Sequence, residues 1–414
     1  MTEALRKVIR ANRAGHRTAL PSVCSAHPDV LRASLLLAET LDRDICIEAT
    51  SNQVNQDGGY TGMHPAGFVS LVHEIADTSG VARERIHFGG DHLGPQAWRK
   101  QSPEAAMAKA HELVAAYAAA GFGKIHLDCS EGCKGEAAQL DDDVTAARSA
   151  ELARRAAGAA DDLLFVIGTE VPPPGGARMD EDGVIPATTP EAARSTLAAH
   201  ADTFGDLTAL IGGLVVQPGV EFSPMQVHPL PVDRDPGLLA ALHDWPEVCL
   251  EAHSTDYQRP DVYPHLAELG FAFQKVGPAL TFAYRQALYA LDRIAAALGR
   301  DGAGLQEQME ALMCAEPAHW QSHYTGPDLA LQRHYGYADR IRYYWPHPKA
   351  KSAVKRLFAT LPARLPEPLV LDFVDAAALD RAETLPGPFP DRLILAYVQQ
   401  ALMPYFFDQG ERLP

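Results

Sequence analysis

The sequence predicts an α/β fold, a (β/α)8 TIM barrel over residues 1–299 with a helical C-terminal extension over residues 300–414 packing on it. Three observations carry this expectation. Short β-rich apolar runs recur eight times, and each is followed by a helix-prone stretch of Ala, Leu, Glu and Arg. The length of 414 residues suits a barrel of roughly 250 residues with an appendage. After about Gly299 the strand signal fades, while Leu305 to Met313 and Ala350 to Leu361 read as helices among Pro-rich connections.

In order, the eight runs end near Ser25, Thr50, Asp91, Asp128, Glu170, Gln217, His253 and Lys275. Eight units fit a closed barrel better than an open sheet. Between them, Ala105 to Ala120 and Thr145 to Ala160 read as crossover helices. The second is preceded by Asp141 to Asp143, where negative charge favours a helix N-terminus. In the extension, Asp339-Arg-Ile-Arg-Tyr-Tyr-Trp345 is dense in groups that hydrogen-bond and stack, and reads as an amphipathic segment against the barrel.

Composition excludes several classes of partner. A formal charge of −17 with no local basic stripe disfavours nucleic acid and anionic membranes. Met1 to His16 lacks the apolar stretch of a secretory signal, and no apolar run is long enough to span a bilayer. Six cysteines without a CxxC pair read as reduced thiols, so a cytoplasmic location is expected. Gly58-Gly59 and Gly175-Gly176 sit in neither a Walker nor a Rossmann pattern, which disfavours nucleotide binding.

Catalytic residues of such a barrel come from the C-terminal ends of several strands, so these positions are informative together. Asp91-His92 follow Gly89-Gly90, Asp128, Glu170 and Gln217 close three further runs, and Glu251, His253 and Asp256 cluster at the seventh. Two histidines and a carboxylate at equivalent strand ends point to a divalent ion, Zn, Mn, Ni or Co, because imidazole and carboxylate donors suit these metals. The expected ligands are His92, Glu170 and His253, with Gln217 a fourth. Such an ion would polarise a ketose carbonyl and permit enediolate chemistry. Asp91 and Asp128 are the candidate acid and base, unless Asp128 instead orients a histidine. Asp256 joins them as a candidate catalytic carboxylate. Ser51, Asn52 and Asn55, in a loop of amides, hydroxyls and glycines, are candidate sugar contacts, as is Ser130. Lys275 and Arg285 could neutralise a phosphate or a uronate carboxylate, or form structural ion pairs.

Several stretches resemble the tagatose-bisphosphate aldolase Z-subunit family (GatZ/KbaZ). They include Ser22-Val-Cys-Ser-Ala-His-Pro28, Ile47-Glu-Ala-Thr-Ser-Asn-Gln-Val-Asn-Gln56, Gly89-Gly-Asp-His-Leu-Gly-Pro95, Ile167-Gly-Thr-Glu-Val-Pro172, Glu251-Ala-His-Ser-Thr-Asp-Tyr-Gln258 and Lys275-Val-Gly-Pro-Ala-Leu-Thr281. The matches span nearly the whole chain.

The resemblance implies one of two activities: a metal-dependent 4-epimerase interconverting ketoses such as D-tagatose and D-fructose, or a non-catalytic subunit stabilising a class II D-tagatose-1,6-bisphosphate aldolase. Asp91-His92 also looks like the Asp-His pair of class II aldolases, whose histidine binds zinc and whose aspartate transfers protons. A scaffolding subunit has little need to bury His92, Asp128, Glu170, His253 and Asp256 together, which favours an enzyme. Its partner is then a small-molecule ketose, with a homo-oligomer or an aldolase subunit as the protein partner. Acidic Asp256 and the negative charge favour an unphosphorylated ketohexose over a bisphosphate.

Overall fold

Eight parallel strands close into a barrel, in the order in which the apolar runs occur along the chain. The computed structural model describes residues 2–168, 185–300 and 304–409. The barrel strands are β1 (Leu20–Cys24), β2 (Ile45–Thr50), β3 (Ile86–Leu93), β4 (Lys124–Leu127), β5 (Leu164–Ile167), β6 (Ile211–Val215), β9 (Cys249–Ala252) and β10 (Phe271–Val276). In the connection after β6, β7 (Glu221–Phe222) and β8 (Val227–His228) form a small antiparallel hairpin that the apolar pattern is too short to reveal. The expected crossover helices are present at Pro103–Ala119 and Asp142–Ala157, each beginning a few residues earlier than the Ala-rich composition suggests. Ser102 explains the first boundary, because its side chain accepts from the Ala105 N–H and caps the helix.

Alternation along the strands builds two distinct cores. In β2, Ile45, Ile47 and Ala49 pack outward against the helices, while Cys46 and Glu48 point into the barrel. In β4, Ile125 and Leu127 face out and Lys124 and His126 face in. The inner layer near the strand N-termini is apolar. Leu20, Cys46, Leu164, Cys249 and Phe273 meet Leu5 and Ile9 of the N-terminal helix Thr2–Arg13, which plugs that end. Leu5 and Ile9 are one helical turn apart and fully buried. Polar side chains are thereby left to the opposite end.

The C-terminal helices share the outer core. Helix Phe389–Leu402 packs against Pro278–Ala297 and Pro28–Leu41, and Gln399 Nε2 donates to the Ala33 carbonyl at 3.0 Å. Asp339–Trp345, expected to pack on the barrel, forms a short 3-10 turn at Arg340–Tyr344 over the strand C-termini. Among the described residues, no helix is long and apolar enough to cross a membrane.

Candidate active site

A layer of paired charges lies in the middle of the barrel. Lys124 Nζ is 2.7 Å from Glu48 Oε1 and 2.5 Å from Glu251 Oε2, and all three side chains are fully buried. Lys275 Nζ reaches Glu251 at 3.1 Å and Glu48 at 3.4 Å, and makes its closest contact with Asp91 Oδ1. Ions this deep persist only when paired. Burial pulls the Lys275 ammonium toward neutrality, but Asp91, Glu251 and Glu48 outweigh it and raise its pKa. Burial likewise opposes ionisation of Glu251, yet Lys124 and Lys275 hold it well below the usual carboxylate range. Gly89 is part of this packing, since a Cβ there would come within 2.8 Å of the Glu48 side chain.

Above this layer, Asp91 and His92 both turn into the barrel although they are adjacent. Strict alternation would send them to opposite faces. An irregularity in the β3–β4 register, with His92 at φ 48°, redirects the imidazole inward. His92 Nδ1 is 2.7 Å from Asp128 Oδ2, and His253 Nε2 is 2.8 Å from Glu251 Oε1. Each ring therefore has one nitrogen fixed by a carboxylate, leaving His92 Nε2 and His253 Nδ1 to ligate. This is the arrangement that orients metal-binding histidines.

A third imidazole, His126, completes a triangle of rings with centroids 5.1–5.2 Å apart. Its Nδ1 lies 3.2 Å from the His92 backbone N–H and 3.3 Å from Asp91 Oδ1, and its Nε2 is buried without a hydrogen-bond partner. His126 also has a ligand atom within 4.8 Å of ones on Glu251 and His253, so it stands beside the same point of the cavity floor. Ligand atoms of Asp91, His92 and His253 lie within 4.8 Å of one another, and these three residues also line the cavity. The donor set fits a divalent ion of the borderline type. Burial, reinforced by Lys275, lowers the pKa of His253 and keeps it neutral, as ligation requires. For His92, burial acts in the same direction, but Asp91 and Asp128 outweigh it and raise the pKa.

The cavity over this cluster holds about 650 Å³ of empty space, counting its open mouth. Strand ends supply Asp91, His92, His253, Asp256 and Lys275, the loop after β2 supplies Asn52, Gln53 and Tyr60, and the C-terminal turn supplies Arg342 and Tyr343. A second lobe shares Gln53, Tyr60 and Arg342 and adds His27 and Lys351.

Residues 5–408 match the model of the D-tagatose-1,6-bisphosphate aldolase subunit GatZ/KbaZ-like family. The chain belongs to this family. It is 45% identical to a D-tagatose 6-phosphate 4-epimerase of Agrobacterium fabrum (strain C58 / ATCC 33970), over 99% of both chains. It also superposes with a TM-score of 0.86 on the crystal structure of a probable tagatose 6 phosphate kinase from Sinorhizobium meliloti 1021, at 44% identity, covering 94% of this chain and 99% of that one.

For this GatZ/KbaZ-like chain, the structure brings some expected site residues together and sets others apart. Asp91, His92, His253, Asp256, Lys275 and Asn52 line the cavity. Lys275 is engaged by carboxylates, so its charge is already balanced. Asp128 is committed to orienting His92, and Ser130 to holding Asp128 through its hydroxyl and backbone N–H, rather than to a sugar. Four further expected contacts are corrected. The Gln217 side-chain oxygen accepts from the Gly219 and Val220 N–H groups at 2.8 and 2.9 Å, which makes it a loop brace and not a metal ligand. Asn55 Oδ1 accepts from the Asp57 and Gly59 N–H groups, and its Nδ2 donates to the Ser51 carbonyl, so both ends of the amide brace the loop. Ser51 is fully buried and lines neither lobe. Arg285 is buried among Phe282, Tyr289 and Tyr335, also away from the cavity. Glu170 lies outside the described residues.

Sequence reasoning did not single out His126, Lys124, Tyr60, Arg342 or Tyr343. Lys124 and His126 had a signal, since a polar residue at every second position of Lys124-Ile-His-Leu127 marks an inward polar face. Arg342 and Tyr343 fall in the Asp339–Trp345 stretch noted for its hydrogen-bonding and stacking groups but read as packing on the barrel, and Tyr60 ends the loop read for its amides; only the docked fold brings them to the mouth.

Proposed function

We propose that this protein is a metal-assisted ketohexose 4-epimerase that interconverts the tagatose and fructose configurations of a 6-phosphate. The convergence of Asp91, His92 and His253 on one point of the cavity wall carries this reading. The name of the Agrobacterium relative supports the substrate class.

His92 and His253 would hold the ion, with Asp91 near enough to share it. Bound there, a divalent ion supplies Lewis acidity toward a ketose carbonyl. C4 is not α to the C2 carbonyl, so direct removal of its hydrogen would face a high barrier. The reaction therefore runs by removing the O4 proton and breaking C3–C4 to a three-carbon enediolate and an aldehyde, then closing the bond on the other aldehyde face. Asp91 is the proton carrier. Its Oδ1 is taken by Lys275, which leaves Oδ2 to exchange a proton with the sugar. Asp128 and Glu251 keep the two imidazoles oriented throughout.

The phosphate would lie at Arg342. Among the described residues, no carboxylate makes a direct ion pair with this guanidinium, although Asp339 stands near enough for the two charges to interact. It donates to the Ala338 and Asp339 carbonyls and to the Tyr343 hydroxyl, and it faces both lobes. An inward-facing cation without a paired carboxylate is suited to an anionic ligand. Lys351, exposed in the second lobe, adds positive charge there.

The test uses the purified protein with D-tagatose 6-phosphate, D-tagatose or D-fructose and Mn²⁺, Ni²⁺, Co²⁺ or Zn²⁺. The expected result is C4 interconversion that stops with EDTA and falls by at least about 10³-fold in His253→Ala. Trapped three-carbon fragments support the cleavage route, whereas strictly intramolecular hydride transfer rules it out. No turnover alone, with stabilisation of a co-expressed class II aldolase subunit, would establish the stabilising-subunit reading instead.

A further inference from the structure

The segment carrying Asp256 is held in an unusual backbone conformation. Ser254 and Tyr257, on either side of Thr255-Asp256, have φ of 52° and 64°. Neither is glycine, so each sits in a backbone region that L side chains rarely adopt. Strain of this kind persists only where the surroundings fix it. Here Thr255 Oγ1 donates to the Lys275 carbonyl at 2.6 Å, Tyr263 donates to the Thr255 carbonyl at 3.2 Å, and Tyr257 donates to the Tyr337 carbonyl at 2.8 Å.

The result is to aim one carboxylate at one place. Asp256 Oδ1 accepts from the Gly277 N–H at 3.0 Å and the Ala279 N–H at 2.8 Å, at the start of the 20-residue helix Pro278–Ala297. A helix N-terminus following the last barrel strand is where such barrels receive phosphate, because free N–H groups and the helix dipole converge on it. In this chain a side chain of the protein already satisfies those donors. Asp256, Gly277 and Pro278 all line the cavity beside His253, so a substrate reaching the histidines meets this filled cradle.

We propose that Asp256 is a specificity determinant. It occupies the anion cradle, so the site accepts a ketose whose C1 end is an uncharged hydroxymethyl group and refuses one phosphorylated at C1. Oδ2 remains to meet the C1 hydroxyl. The proposal rests on the ketose reading above, and it sharpens the substrate class to monophosphates bearing their charge at the far end. A C1 phosphate would face a buried like charge and would find both backbone donors taken, a rejecting element rather than a missing contact.

The test is calorimetric binding of D-tagatose 6-phosphate and D-tagatose 1,6-bisphosphate to the full chain supplied with Mn²⁺. The wild type is expected to prefer the monophosphate by at least about tenfold, and Asp256→Ser, which empties the cradle, to narrow that preference by at least about tenfold. Asp256→Asn removes the charge while keeping an acceptor for both N–H groups, and is expected to narrow the preference even if the serine variant fails to fold. Equal or tighter binding of the bisphosphate by the wild type, binding of neither ligand, or an unchanged preference in the folded variants would overturn the proposal. An epimerase that binds both ligands equally would sink this inference alone. A protein that shows the preference without turnover would sink the epimerase reading alone.

Discussion

His92 owes its place in the site to its backbone. Its positive φ and the break in the β3–β4 register let it share a face with its neighbour Asp91, and the 2.7 Å contact with Asp128 then fixes which ring nitrogen is free. Asp128→Asn should therefore weaken divalent-ion affinity by about 10–100-fold, as loss of an orienting partner does, while leaving the fold intact. Competition against a chelator measures it, and unchanged affinity would remove Asp128 from this role. The Asp91-His92 pair was legible from residue type alone. That both point inward was not, because the two-residue period of a strand forbids it and the irregularity has no local signature.

At the level of elements, β2, β4, β9 and β10 each contribute one charged side chain to the layer beneath the cavity. The layer balances itself, so removing one member leaves the others buried with too few partners. Lys124→Met would leave Lys275 to balance Glu48, Glu251 and Asp91 by itself, and is expected to destabilise the protein by about 3–5 kcal/mol. Urea unfolding would show this as a lowered midpoint, and a loss below about 1 kcal/mol would mean that the layer relaxes easily. Strand positions were legible because apolar runs and their polar ends recur. The pairing between strands was not, since Lys124 lies 76 positions from Glu48 and only closure of the barrel brings them within 2.7 Å.

Across the whole molecule, Asp339 ties the C-terminal extension to the barrel by accepting from Thr281 Oγ1 on the helix after β10. Burial pushes its carboxyl up to about 7, opposed by Arg342, Thr281 and Arg285, with Asp256 adding to the rise. Because the folded state binds this proton more tightly than the unfolded chain, the contribution is most favourable below about pH 4. It is lost as pH rises toward 7, at about 1.4 kcal/mol per unit. Asp339→Asn keeps a residue that tolerates φ 45° and removes the titration. Melting temperatures at pH 5 and pH 7 should show the wild type losing stability relative to the variant as pH rises, and a constant difference would contradict the assignment.

The sequence by itself determined the barrel, the helical extension and the residue types at the strand ends, because hydrophobic period and chain order are local properties that each run expresses independently. It also marked Asp91, His92, His253 and Asp256, which fall where a barrel opens. The tertiary structure alone decided which polar residues face the cavity. Gln217 and Asn55 turned out to brace their own loops, Arg285 to stack among aromatic rings, and Arg342, far along the chain, to close the site. Those outcomes depend on the curvature of the closed sheet and on where the extension docks, which involve contacts between residues distant in sequence and leave no periodic trace within any one segment.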